Sequence, residues 1–89
     1  MPHVYLLRCR DGSLYAGAAV DLEKRLREHR AGRASRYTRS RLPVDLAWSA
    51  EVDSWSAALR EEARIKSLSR NAKEQLLASP PAIDVLASR

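Results

Sequence analysis

At 89 residues the chain has room for one small domain around one core, and no second domain is expected. Lys and Arg number 16 against 11 Asp and Glu, a formal charge of +5, so the expected partner is polyanionic: nucleic acid by default, an anionic membrane surface as the alternative. The lone Cys9 rules out an internal disulfide framework or cysteine-rich zinc site, no apolar run approaches the ~20 residues of a membrane span, and the N-terminus lacks a signal-peptide pattern; a cytoplasmic protein is expected.

His3 to Cys9 is β-branched and aromatic enough for a strand, with Cys9 as a small core residue at its end. Arg10-Asp11-Gly12 turns the chain, and Ser13 to Gly17 returns as a second strand. Two turns compete. A two-residue turn centred on Asp11-Gly12 would put Tyr5 and Tyr15 on opposite faces of the hairpin. A three-residue loop with Gly12 in the left-handed region pairs Leu7 with Tyr15 and puts both tyrosines on one face; this register is favoured, partly on functional grounds.

Asp21 is a good N-cap for a helix from Leu22 to Arg30, and Gly32 is a good stop. Leu22 and Leu26 form its buried line, with Arg25 and His29 close to it, while Lys24, Arg27 and Glu28 point toward water. Ala31 to Leu42 reads as a loop, the most basic stretch, with Arg33, Arg36, Arg39 and Arg41 around Tyr37 and Pro43 closing it. Val44 to Val52 reads as a third strand. A helix over Ser54 to Leu68 follows, capped by Asp53 or Ser54, then a short helix capped by Ser69 and running through Leu77. Pro80-Pro81 ends it. The expected fold is a mixed α/β (α+β) domain, a three-stranded antiparallel sheet flanked by helices in the order β-β-α-β-α-α, over residues 1–79 with a tail at 80–89.

The residue that stands out is Glu62. On a helical wheel Trp55, Ala58, Leu59 and Ile65 form one apolar stripe, and Glu62 falls in its middle, with Lys66 one turn on. A carboxylate on a core-facing stripe is costly without a cation, a hydrogen bond or a metal. An i,i+4 pair with Lys66 is one reading; a carboxylate holding a metal or substrate group in a cleft is the other. Taken singly, Tyr5 and Tyr15 read as core residues with hydroxyls at the rim, Arg25 as a surface arginine, and His29 as a cation favoured at a helix C-terminus. That one face of one small sheet would carry all five points instead to a shared site, with all five expected to line one concave surface on one side of the sheet.

The ordered set resembles the GIY-YIG nuclease family, and its small stand-alone members more closely, from about Val4 to Leu77. The residues that carry it are Val4 to Cys9, Asp11 to Gly17, Asp21 to His29, Tyr37-Thr38-Arg39, Arg41 to Val44, Ala58 to Glu62 and Ile65 to Arg70. The resemblance implies phosphodiester hydrolysis with one divalent metal ion, Mg²⁺ or Mn²⁺. By position it makes Tyr5 and Tyr15 the signature tyrosines and Gly17 the closing glycine. It sets Arg25 and His29 against the scissile phosphate and attacking water, and makes Glu62 the metal-binding glutamate. The first triplet, His3-Val4-Tyr5, lacks the named glycine, and Ala18-Ala19 stand where bulkier residues are common, so the pocket is expected to be looser and activity reduced. Asn71 is the candidate for the family's later asparagine.

The chemistry suits these residue types. A metal on Glu62 offsets the charge that repels a nucleophile, and Arg25 stabilises the phosphoryl oxygens. A tyrosine or His29 takes the proton from water; a tyrosine serves as base if Arg25 and the metal lower its value from about 10. The leading expectation is a metal-dependent DNA endonuclease acting on single-stranded or structured DNA. Arg33, Arg36, Arg39, Arg41 and Lys66 would contact phosphates, and Tyr37 would stack on an unpaired base. The rivals are a non-catalytic nucleic-acid-binding module and a basic subunit docking on an acidic protein.

Overall fold

The structure is a computed structural model and describes residues 1–78; the expected tail lies outside them. Strands β1 (His3–Cys9), β2 (Leu14–Ala19) and β3 (Val44–Glu51) form one antiparallel sheet in the order β2-β1-β3. Helices α1 (Leu22–Arg30), α2 (Arg36–Arg39), α3 (Trp55–Lys66) and α4 (Arg70–Ala78) complete it. The expected mixed α/β architecture and element order are observed, with one addition. The basic segment is not wholly a loop, because Ser35 caps a single helical turn at Arg36–Arg39.

The hairpin adopts the three-residue loop. Cys9 N–H donates to Ser13 O and Gly12 N–H to Cys9 O, both at 2.9 Å, and Gly12 sits at φ 86°, where glycine alone is unstrained. Leu7 therefore pairs with Tyr15, and Tyr5 with Gly17. Because side chains alternate, Val4, Leu6, Leu14 and Ala16 face one side of the sheet and Tyr5, Leu7, Cys9 and Ala19 the other.

Each face has its own helix. Ala58 and Ile65 of α3, with Leu76 and Leu77 of α4, close the Val4–Leu6 face; Leu22 and Leu26 of α1, with Leu42 and Val44, close the Tyr5–Leu7 face. Capping follows the expected residues: Asp21 accepts from Lys24 N–H, Ser54 from Ala57 N–H and Ser69 from Ala72 N–H. A bulge in β3 lets Leu6 pair with Trp48 and Leu7 with Leu46. Helix α4 is tied to the hairpin by polar groups. Arg8 pairs bidentately with Glu74 at 2.6 and 2.7 Å, and Arg8 and Arg70 both donate to Gly12 O.

The α3 stripe departs from expectation. Ala58 and Ile65 are fully buried, but Trp55 and Leu59 are 43% and 45% exposed. Helix α3 lies over β2 and β1 rather than the whole sheet, so only part of its apolar surface has a floor beneath it.

Candidate functional site

The site is organised around a buried hydroxyl. Tyr5, on the central strand, leans over Gly17 so closely that a Cβ there would enter the phenol ring. The Tyr5 hydroxyl lies 2.8 Å from His29 Nε2, and His29 Nδ1 lies 2.9 Å from Thr38 Oγ1. His29 and Thr38 are both fully buried. Thr38 Oγ1 also lies 3.4 Å from Ser35 O and 3.3 Å from Ser35 Oγ. The buried Tyr5 phenol donates to His29 Nε2, and in that tautomer the Thr38 hydroxyl is left to point to Ser35 O. Thr38 Oγ1 then accepts from His29 Nδ1–H.

The remaining groups surround this pair. Tyr15 meets the His29 ring edge-on at 5.4 Å between centroids. Tyr15, Arg25, Glu28 and Glu62 all act electrostatically on the Tyr5 hydroxyl. Burial pushes the Tyr5 phenol well above its ordinary range; Tyr15, Glu62 and Glu28 push the same way, and Arg25 opposes them. Burial, then Arg25, holds His29 below its ordinary value, while Glu28 works in the other direction. The expected lowering by Arg25 is present at Tyr5, but burial exceeds it. The resting form of Tyr5 is therefore a phenol beside a neutral imidazole. The same burial removes the reading of His29 as a helix-end cation.

The expectation that all five groups would lie on one side of the sheet is also corrected. Arg25 and His29 come from the helix on the Tyr5 face, whereas Glu62 comes from α3 on the opposite face. Strand β2 is the sheet edge between them. Beside the end of that strand lies a cleft of about 330 Å³ that joins Lys24, Arg25 and Glu28 of α1 to Trp55 of α3 over Ala19 and Val20; of the five expected groups only Arg25 lines it. Glu28 thus turns to the cleft rather than to water, with Oε1 3.6 Å from Arg25 Nε. Glu62 is half-buried and pairs with Lys66 Nζ at 3.2 Å, so the i,i+4 pair exists.

Among the residues expected to bind nucleic acid, Arg33, Arg36 and Arg39 are exposed around one open depression. Lys66 is exposed and paired to Glu62. Tyr37 is partly exposed, and its ring stacks with Tyr15 at 5.7 Å and carries the Arg41 guanidinium at 3.8 Å. Arg41 is itself held by Asp11 Oδ2 and Tyr37 O, both at 3.0 Å, which fixes the loop against the hairpin turn. Asn71 is exposed in the first turn of α4. Thr38 and Glu28 were not expected in the site. The spacing that brings Thr38 to His29 has no sequence signature, but Ser35 before Arg36–Arg39 is a capping signal that could have revealed the helical turn presenting it.

A three-stranded sheet with a helix on each face, and a buried tyrosine–histidine pair between its central strand and α1, defines a small mixed α/β domain. Residues 1–75 match the GIY-YIG catalytic domain model, and the chain belongs to the GIY-YIG family. It is 49% identical over 76 residues to a UPF0213 protein of Halobacterium salinarum, covering 85% of this chain and 99% of that protein. A UPF0213 protein of Vibrio cholerae is 44% identical over 84 residues, covering 93% of this chain and 83% of that one. The solution NMR structure of a UPF0213 protein from Bacillus halodurans superposes with a TM-score of 0.57 at 40% identity, covering 88% of this chain and 84% of that one.

Proposed function

We propose that this protein is a metal-dependent endonuclease that hydrolyses phosphodiester bonds of single-stranded or structured DNA. The observation that carries the reading is the buried Tyr5–His29 hydrogen bond at 2.8 Å, with Tyr15 edge-on to the same imidazole and Arg25 one turn before His29 on α1. Family membership supports nuclease chemistry on a nucleic acid.

The donor set fits a hard divalent ion, Mg²⁺ or Mn²⁺, in one form only. Among the described residues no group of three His, Cys, Asp or Glu side chains could hold an ion, so Glu62 would be its protein ligand and water and substrate phosphate would complete the shell. When bound, such an ion offsets the phosphate charge and stabilises the leaving oxygen. Glu62 would exchange Lys66 for that role. Arg25 holds a non-bridging phosphate oxygen and stabilises the charge that grows there. The Tyr5 oxygen accepts the proton of the attacking water as its own proton passes to His29 Nε2. This relay avoids a free phenolate, which burial disfavours. Glu28 steadies the imidazolium that results, and Tyr15 orients the water.

The test is Glu62→Gln, assayed on labelled single-stranded, branched and duplex DNA with Mg²⁺ or Mn²⁺. Cleavage is expected to vanish while fold and DNA binding are retained. A rate within a few-fold of the parent would leave Glu62 as no more than the partner of Lys66. Salt-sensitive binding by the parent without cleavage would favour the non-catalytic module.

A further inference from the structure

Helix α3 carries a line of residues of which the proposed chemistry uses only part. Trp55, Leu59, Glu62 and Lys66 recur at helical spacing along one edge of α3, while Ala58 and Ile65 take the core. Trp55 and Leu59 are nearly half exposed, and Val20 at the end of β2 is 65% exposed. Trp55, Val20, Lys24 and Arg25 line the same cavity. An exposed tryptophan beside two cations is unusual for a packing residue and suits a ligand with an aromatic face and a negative charge.

From this arrangement we infer that the α1–α3 cleft is a subsite for one unpaired nucleobase of a DNA strand, with Trp55 as its stacking surface and Lys24 and Arg25 at its flanking phosphate. Arg25 belongs both to this cavity and to the surroundings of Tyr5, so a base on Trp55 is attached to a phosphate at the candidate site. A base inside a duplex is stacked on both sides and offers no free face; an unpaired base does. Cation and aromatic together recognise a nucleotide better than an apolar protein surface, and a net charge of +5 opposes self-association through this patch. The cavity also carries Glu28 and Asp21, one carboxylate for each cation; Glu28 lies 3.6 Å from Arg25 and Asp21 accepts from Lys24 N–H at the start of α1, so a phosphate on Arg25 takes the place of Glu28. The inference rests on the nuclease reading only in calling that phosphate the scissile one.

The test reads binding by fluorescence anisotropy, in chelator, with labelled single-stranded and duplex DNA of equal length. Trp55→Ala is expected to weaken single-strand binding roughly 5- to 150-fold, as loss of one base–aromatic stack does, with duplex binding unchanged and Trp55→Phe largely restoring affinity. Circular dichroism checks that both variants fold. Equal weakening on both DNA forms, or no change on either, overturns the subsite. So does a parent that sediments as a dimer and a Trp55→Ala variant that sediments as a monomer, which would make a second copy the occupant. Trp55-dependent single-strand binding without metal-dependent cleavage would defeat the nuclease reading and leave the subsite standing; the reverse pattern would defeat the subsite alone.

Discussion

The chain Tyr5–His29–Thr38 decides how a proton can leave the attacking water, and its direction depends on a residue that never touches substrate. Thr38→Val removes the acceptor for His29 Nδ1–H. A buried donor left unpaired costs about 1–3 kcal/mol, and a ring free to change tautomer no longer keeps Nε2 open for the Tyr5 proton. Cleavage should fall with DNA affinity unchanged, and Thr38→Ser should restore it; denaturant melts and single-turnover rates read both effects. The acid limb of kcat/KM reports the same ring. His29 must be neutral to accept, and burial holds its value below 6.5, so activity should rise with a midpoint below that pH. The same depression makes His29 stabilise the fold above its unfolded value, and that contribution is lost as pH falls through the folded value. Melting temperature should therefore drop in acid, and less so in a folded His29→Gln variant. Of the candidate groups only Glu62 stood out of place on its element; Tyr5, Tyr15, Arg25 and His29 read singly as ordinary and were drawn together as a set and by the family resemblance. Thr38 was not, because an alcohol in a basic loop advertises nothing until the chain folds it onto a histidine.

Among the elements, strand β2 is the most demanding. Gly17 lies opposite Tyr5 with the phenol ring over it. Gly17→Ala must displace that ring, which should cost about 1–3 kcal/mol as overpacking does and separate Tyr5 from His29; the rate should fall further than stability alone explains. Strand and helix positions followed from capping residues and from alternation, and the hairpin register from Gly12. The outer half of α3 was misread for a physical reason. Hydrophobic periodicity marks which residues share a face of a helix, not whether a sheet lies beneath all of it, and α3 overhangs the edge strand. The four-residue α2 is too short for periodicity to register at all. Glu28 sits at the margin of its helix wheel, where a few degrees separate cleft from solvent.

For the whole molecule, the excess of positive charge is the reachable quantity. Arg33, Arg36 and Arg39 stand exposed together, whereas Arg41 is consumed by Asp11 and Tyr37. Each phosphate contact contributes roughly 0.7 to the salt dependence of single-strand binding on a log–log scale. Replacing Arg33 and Arg36 by glutamine should lower that slope by about one unit or slightly more, measured by salt titration, while sequence preference stays the same. Arg41→Gln should leave the slope alone and loosen the loop instead. Among the described residues no helix is long and apolar enough to cross a membrane.

The hairpin loop carries a consequence for how this protein can vary. Tyr15 and Gly17 face His29 and Tyr5 because three residues separate Cys9 from Ser13. Deleting one of them and re-pairing the strands in the shorter register would turn every side chain of β2 through the sheet. Tyr15 and Gly17 would then exchange places with Leu14 and Ala16 although no site residue had changed. A substitution at the exposed Arg10 side chain is mild by comparison. In this region the length of the chain is under tighter constraint than its spelling, and a change in length at a surface turn is as disabling as the loss of a tyrosine.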